Sequence, residues 1–183
     1  MAQKTPLLIN FISYNALWFA CILSGSTGYQ WASVLVLAVL LALHFRFVSK
    51  NAPRDWALIA AAAGFGLLTD SLLAGFGIMS FHSGWPVVPA WVNPIWMLTL
   101  WAGFSTTLYV IFGWMQGRVW LMALMGATGG PGAYYAGALL GALELHGSLW
   151  ISMSLIALQY GVALPVLYWV GDRFPDAANI GEA

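Results

Sequence analysis

An all-helical bundle of six transmembrane helices, with both termini on one side, is the fold class this sequence predicts, and three observations carry it. Hydrophobic residues make up 61% of the 183-residue chain and charged residues 7%, too little polar surface to cover a soluble globule of this length. Six apolar segments, 6–25, 30–48, 56–81, 91–115, 119–143 and 149–170, each come close to the roughly 20 residues that a helix needs to cross a hydrocarbon core. The six basic residues, Lys4, Arg46, Lys50, Arg54, Arg118 and Arg173, all fall at alternate connections between those segments. Lys and Arg accumulate in cytoplasmic loops, so these connections and both termini are assigned to the inside.

Segment 1 is too long and too weakly charged at its start for a cleaved secretory signal and is expected to stay as an anchor. Its Cys21, the lone cysteine, reads as a small apolar residue packed between helices. Segment 2 ends near His44, beside Arg46, where no chemistry is expected. Segment 3 carries Asp70. The outer connection 82–90 contains Gly84, Pro86 and Pro89, which forbid a regular helix and suit a cap over the outer face. Segment 4 follows it. Segment 5 is interrupted by Gly129-Gly130-Pro131, which predicts a kink whose freed carbonyls need neighbours or water. Segment 6 leads into a tail, 172–183, with no apolar period and an expectation of loose order. The loops are short, so residues 1–183 are read as one domain.

Tryptophan placement supports these limits. Trp31, Trp56, Trp85, Trp91, Trp114, Trp120, Trp150 and Trp169 lie at or beside segment ends, where amphipathic rings belong at headgroup level. Trp18, Trp96 and Trp101 lie deeper and are expected to pack between helices. Asn15-Ala16-Leu17-Trp18 is similar to Asn93-Pro94-Ile95-Trp96, but the two asparagines lie at different depths and nothing else aligns, so no inverted repeat is read.

Zero formal net charge without a dense Lys/Arg cluster sets nucleic-acid binding aside. The three histidines, His44, His82 and His146, fall in different segments, so neither a metal site nor a cofactor is expected. Asp70 is the one carboxylate well inside a segment, and an ionisable group there costs about 2.5–3.5 kcal/mol on insertion scales, which makes it a functional candidate. Ala63, Gly66, Ala74 and Gly77 share its face, and such small residues let helices approach closely. Segment 5 has a similar face in Gly130, Ala133, Gly137 and Gly141, leading to Glu144 at its outer end. Counting at about 1.5 Å per residue puts Asp70 roughly 10–15 Å below the outer surface. The same depth holds Asn15, Trp18, Trp101, Tyr134, Tyr135, Gln159 and Tyr160. Glu144, His82 and His146 sit near the outer surface, within reach of water.

The combination of Asn15, Trp18 and Cys21, the run Leu67-Leu68-Thr69-Asp70-Ser71, the spaced tryptophans of 94–101, Gln116-Gly117-Arg118, and Gly129-Gly130-Pro131 followed by Tyr134 or Tyr135 and Gly137 resembles a family of small bacterial inner-membrane proteins, domain of unknown function 2878. The resemblance implies the bacterial inner membrane and, through neighbouring genes for fatty-acid modification, a lipid connection. It implies no activity.

Three classes of function follow. In the first, an enzyme takes an apolar lipid or isoprenoid from the bilayer: Asp70 is the general acid, Tyr134 or Tyr135 orients it, and Trp18 and Trp101 line the pocket, with Asn15, Gln159, Tyr160 and Glu144 as further binding residues. The second is a proton-linked transporter of a small solute with Asp70 as carrier, for which six helices call for a homodimer. The third is a structural or partner-binding membrane protein in which Asp70 only hydrogen-bonds its neighbours.

Overall fold

The computed structural model describes residues 4–82, 89 and 91–174. The expected outer cap with Trp85 and Pro86, and the tail beyond Phe174, lie outside the described residues.

Six α-helices account for most of the chain: α1 (Lys4–Thr27), α2 (Trp31–Leu43), α3 (Ala52–Gly75), α4 (Ile95–Ser105), α5 (Val119–Leu139) and α6 (Leu149–Gly171). Among the described residues, four helical stretches are long and apolar enough to cross a membrane: Lys4–Thr27, Trp31–Val48, Ala52–Gly75 and Leu149–Gly171. A π-helical turn, His44–Val48, continues α2. α3 begins where Asn51 caps it, its side chain accepting from Arg54 N at 3.1 Å, ahead of a proline in the first turn, a position where the missing N–H costs nothing. Helices α5 and α6 pack along their length, α4 lies against α3, and α1 leans on α2 and α4.

Three expected segments are corrected. Segments 3 and 5 end early, at Gly75 and Leu139, and each continues into a three-residue strand: β1 (Met79–Phe81) and β2 (Leu143–Leu145). The strands pair antiparallel, Met79 with Leu145, Ser80 with Glu144 and Phe81 with Leu143. Both helices stop the same way. Gly77 and Gly141 adopt φ of 69° and 76°, and the next residue's N–H turns back to the helix, Ile78 N to Leu73 O and Ala142 N to Gly137 O, each at 3.0 Å. This is the Schellman stop, which a β-carbon opposes. Gly77→Ala and Gly141→Ala are each expected to cost about 1–2 kcal/mol, read as a lower midpoint in a thermal melt of the detergent-solubilised protein.

Segment 4 is not one long helix. α4 ends at Ser105, because the hydroxyls of Ser105, Thr106 and Thr107 bond back to the carbonyls of Ala102, Gly103 and Phe104 at 2.7, 2.7 and 2.6 Å and compete with the helical ladder. A run of turns and a short 3-10 helix, Gly113–Met115, follows. Neighbours satisfy carbonyls of this run. Asn10 Nδ2 donates to Thr106 O at 3.2 Å, and Tyr168 OH reaches Leu108 O and Phe112 O, both at 2.8 Å. Irregular backbone buried in a helical bundle needs such partners.

α5 is one continuous helix from Val119 to Leu139, running through Gly129-Gly130-Pro131 with Pro131 inside it. Of the eight tryptophans assigned to segment ends, the seven that are described are each more than half exposed, whereas Trp96 and Trp101 are buried. Cys21 is buried with its Sγ 3.4 Å from Thr99 Oγ1.

Candidate functional site

Asp70 lies on the fourfold-spaced line Leu58, Ala62, Gly66, Asp70 that α3 turns into the bundle, and it is 0% exposed. Its carboxylate gathers donors from four parts of the chain. Oδ1 accepts from Tyr134 OH at 2.6 Å and Gln159 Nε2 at 2.5 Å. Oδ2 accepts from Trp101 Nε1 at 2.8 Å and Asn93 Nδ2 at 3.1 Å. All four are neutral, so hydrogen bonds, with no ion pair, hold the carboxyl group in place. Asn93 and Gln159 are themselves fixed: Asn93 Nδ2 also donates to Gly66 O at 3.0 Å, and Gln159 Nε2 to Thr69 Oγ1 at 2.7 Å.

Two glycines make this geometry possible. A β-carbon at Gly66 would overlap the Trp101 ring, and one at Gly130 would overlap the Tyr160 ring. The two rings that use this space stack on each other, centroids 4.7 Å apart and planes 22° from parallel. Tyr134 meets Tyr160 edge-on at 5.7 Å. The result is an aromatic wall with the carboxylate behind it.

In front of the wall lies a cavity of about 220 Å³. Tyr14 and Trp18 of α1, Trp101 and Phe104 of α4, Tyr134 of α5 and Tyr160 of α6 line it, among aliphatic and Met side chains. Asp70 does not reach it; Trp101 and Tyr134, which both donate to Asp70, do. Its α5 border includes Met125 and Gly129, both exposed. Helices α1 and α5 approach near their C-terminal ends, where Ile22 Cδ1 would stand 3.3 Å from a β-carbon at Gly137, and are not packed along their length. The cavity opens beside Met125 and Gly129, the exposed part of its lining.

The expected site residues divide accordingly. Asp70, Trp101, Tyr134, Tyr160 and Gln159 come together, and Trp18 lines the cavity. Of the two adjacent tyrosines, Tyr134 faces inward and Tyr135 is 44% exposed. Asn15 donates to Phe11 O at 2.8 Å within its own helix, away from Asp70. Glu144 lies on β2, 3.2 Å from His82 Nε2, outside both the cavity and the carboxylate cluster. Asn93 was missed as a partner because it precedes α4 and reads as a helix-end residue. Its one signal is the polar side chain directly before Pro94.

A second polar cluster was not expected. α3 begins at Ala52, so Asp55 falls in its first turn, 7% exposed. Asp55 Oδ2 lies 3.0 Å from His44 Nε2 and accepts from Ser49 Oγ at 2.6 Å. The Arg54 guanidinium stands 4.2 Å over the Tyr109 ring. Tyr109 OH donates to Asp172 Oδ1 at 2.7 Å. His44 is thus a buried tie between α2 and α3.

The fold and site together define a class: an α-helical bundle of membrane-spanning composition that encloses an apolar, aromatic-walled cavity in front of a sealed carboxylate. The chain belongs to the family described as protein of unknown function DUF2878, whose model matches residues 7–166. That match spans every residue of the carboxylate cluster and of the cavity lining. No curated protein and no solved structure matches the chain.

Proposed function

We propose that this is a six-span inner-membrane protein, both termini cytoplasmic, that draws an apolar chain of the acyl or isoprenoid class sideways from the bilayer and acts on it as an acid-using enzyme. The observation that carries the reading is the aromatic cavity that opens beside Met125 and Gly129 of α5, on a helix flank that meets acyl tails when all six helices span. α5, at 21 residues, is about 30 Å long, and α4 with the turns after it makes the remaining crossing. The basic residues lie at one end of the helices, and the β1–β2 ribbon with His82 and His146 lies at the other. This polarity supports the inside assignment of the termini.

The Tyr134 hydroxyl is the group shared by carboxylate and cavity. In this reading a protonated Asp70 passes its proton through the Tyr134 hydroxyl to a double bond of the bound chain. The cation so formed later loses a proton back to the Tyr134–Asp70 pair, which leaves an isomerised chain and resets the acid. The cation formed faces the rings of Trp101, Tyr160 and Trp18, whose quadrupoles stabilise it. Asp70 acts through Tyr134 and not directly, and exposed Tyr135 takes no part.

Membrane lipids from a deletion strain complemented with wild type, Asp70→Asn or Tyr134→Phe test this by mass spectrometry. Wild type is expected to restore a lipid species that both variants leave missing. Identical lipid profiles in all strains, deletion included, remove the enzyme reading. Uptake into liposomes that follows a pH gradient and fails in Asp70→Asn selects transport instead.

A further inference from the structure

We propose that residues 63–82 and 127–146 are two copies of one helix–turn–strand unit related by an internal two-fold axis, and that Gly129 opens the cavity by standing where the first copy carries Phe65. The inference deepens the reading above by naming the residue that decides whether the chain-binding space exists.

The pairing of the two units is reciprocal throughout. Asp70 and Tyr134 are 64 positions apart and touch each other. At the same spacing Ala63, Gly66, Ala74, Gly77 and His82 recur as Ala127, Gly130, Ala138, Gly141 and His146. In the ribbon Ser80 pairs with its own counterpart, Glu144, while Met79 and Phe81 pair with each other's counterparts, Leu145 and Leu143. Only a two-fold axis through the Ser80–Glu144 pair gives that register. The bonds around it follow the same exchange: His82 N donates to Ala142 O at 3.1 Å and His146 N to Ile78 O at 2.9 Å. Likewise His82 Nε2 lies 3.2 Å from Glu144 Oε1, and His146 Nε2 lies 2.9 Å from Ser80 Oγ. Both helices run toward the ribbon, so the repeat is parallel, with its axis along the helices.

The two-fold also relates the aromatic wall. Trp101 covers Gly66 as Tyr160 covers Gly130, and the two rings stack on each other. One position earlier the copies differ. Phe65 lies against Trp101, centroids 5.8 Å apart, whereas Gly129 lines the cavity and a β-carbon there would meet nothing within 4 Å. In the first copy a phenyl ring fills the space beside the covering aromatic. In the second that space is the cavity.

Xenon enters dry apolar cavities whatever their natural ligand, so crystals of the full-length protein under xenon pressure read the space directly. Wild type is expected to hold xenon beside Gly129. Gly129→Phe is expected to hold none there while keeping the wild-type thermal midpoint, and Gly129→Leu replaces it should the larger ring prevent folding. Phe65→Gly, or Phe65→Ala if glycine unfolds the helix, is expected to gain a xenon site against Trp101. Wild type without xenon, folded Gly129→Phe or Gly129→Leu that keeps it, or a folded Phe65 variant that gains none, overturns the proposal. Native mass spectrometry of the same proteins reads the chain separately. Loss of a copurifying apolar molecule in Gly129→Phe supports both inferences, and a wild type that takes xenon but carries no such molecule sinks the lipid reading alone.

Discussion

Replacing Asp70 by leucine is expected to destabilise the protein by about 3–5 kcal/mol, because the change removes the acceptor that four buried donors share. The cost is uneven. Asn93 keeps Gly66 O and Gln159 keeps Thr69 Oγ1, so each loses one bond of two. Tyr134 retains a long contact to Met97 Sδ at 3.9 Å and the neighbouring Tyr160 hydroxyl. Trp101 Nε1, a donor that cannot accept, has no other acceptor among the described residues and is stranded. Asp70→Asn should be far milder, about 1 kcal/mol. Its carbonyl can serve Trp101 and Asn93, and its amide can face Tyr134, whose hydroxyl rotates to accept. It can also face the Gln159 Oε1, which has no partner in the native protein. Thermal melts of the two variants in detergent check the difference. Equal melting of the leucine variant and wild type would show that the carboxylate is not what orders these donors.

The second large effect is expected at Gly126. A β-carbon there would overlap the carbonyl oxygen and carbon of Tyr160, which are backbone atoms and cannot rotate aside. Gly126→Ala therefore forces α5 away from α6, at a cost of about 3 kcal/mol by the measure of over-packed cores. The same shift moves Tyr160 off Trp101 and Gln159 off Asp70, so retention of a bound apolar molecule should fall with stability. Gly132, on the same helix, faces open space, and Gly132→Ala should be neutral or slightly stabilising through helix propensity. Melts of the pair separate a packing role at residue 126 from a general sensitivity of α5 to alanine.

The carboxylate cluster was legible as a depth and not as a set of contacts. Counting from the segment ends put Asp70, Trp18, Trp101, Tyr134, Gln159 and Tyr160 in one layer, and the structure brings all but Trp18 against the carboxylate or its aromatic wall, with Trp18 across the cavity. The same count admitted Asn15 and Tyr135, which share the depth but not the direction. Adjacent residues on a helix point about 100° apart, so the choice between Tyr134 and Tyr135 depends on how α5 is rotated, and only its packing on α6 sets that. Asn93 escaped because it acts from outside any helix. The three-residue strands were invisible inside apolar runs, where β1 and β2 carry no alternation long enough to read. Asp55 escaped because placing the start of α3 at Trp56 left it outside the helix.

Composition, apolar run lengths and the placement of Trp and basic residues by themselves determined that this is an apolar helical chain with one acidic side chain at depth. These are sums along the chain, and hydration free energy is additive in that sense. Tertiary structure alone decided that the carboxylate is sealed behind Trp101 and Tyr134, that the open space lies in front of them, and that β1 meets β2 as it does. Those outcomes depend on azimuth and close approach between helices, which are set where Gly66 and Gly130 admit an aromatic ring and not by any property of the residues taken in order.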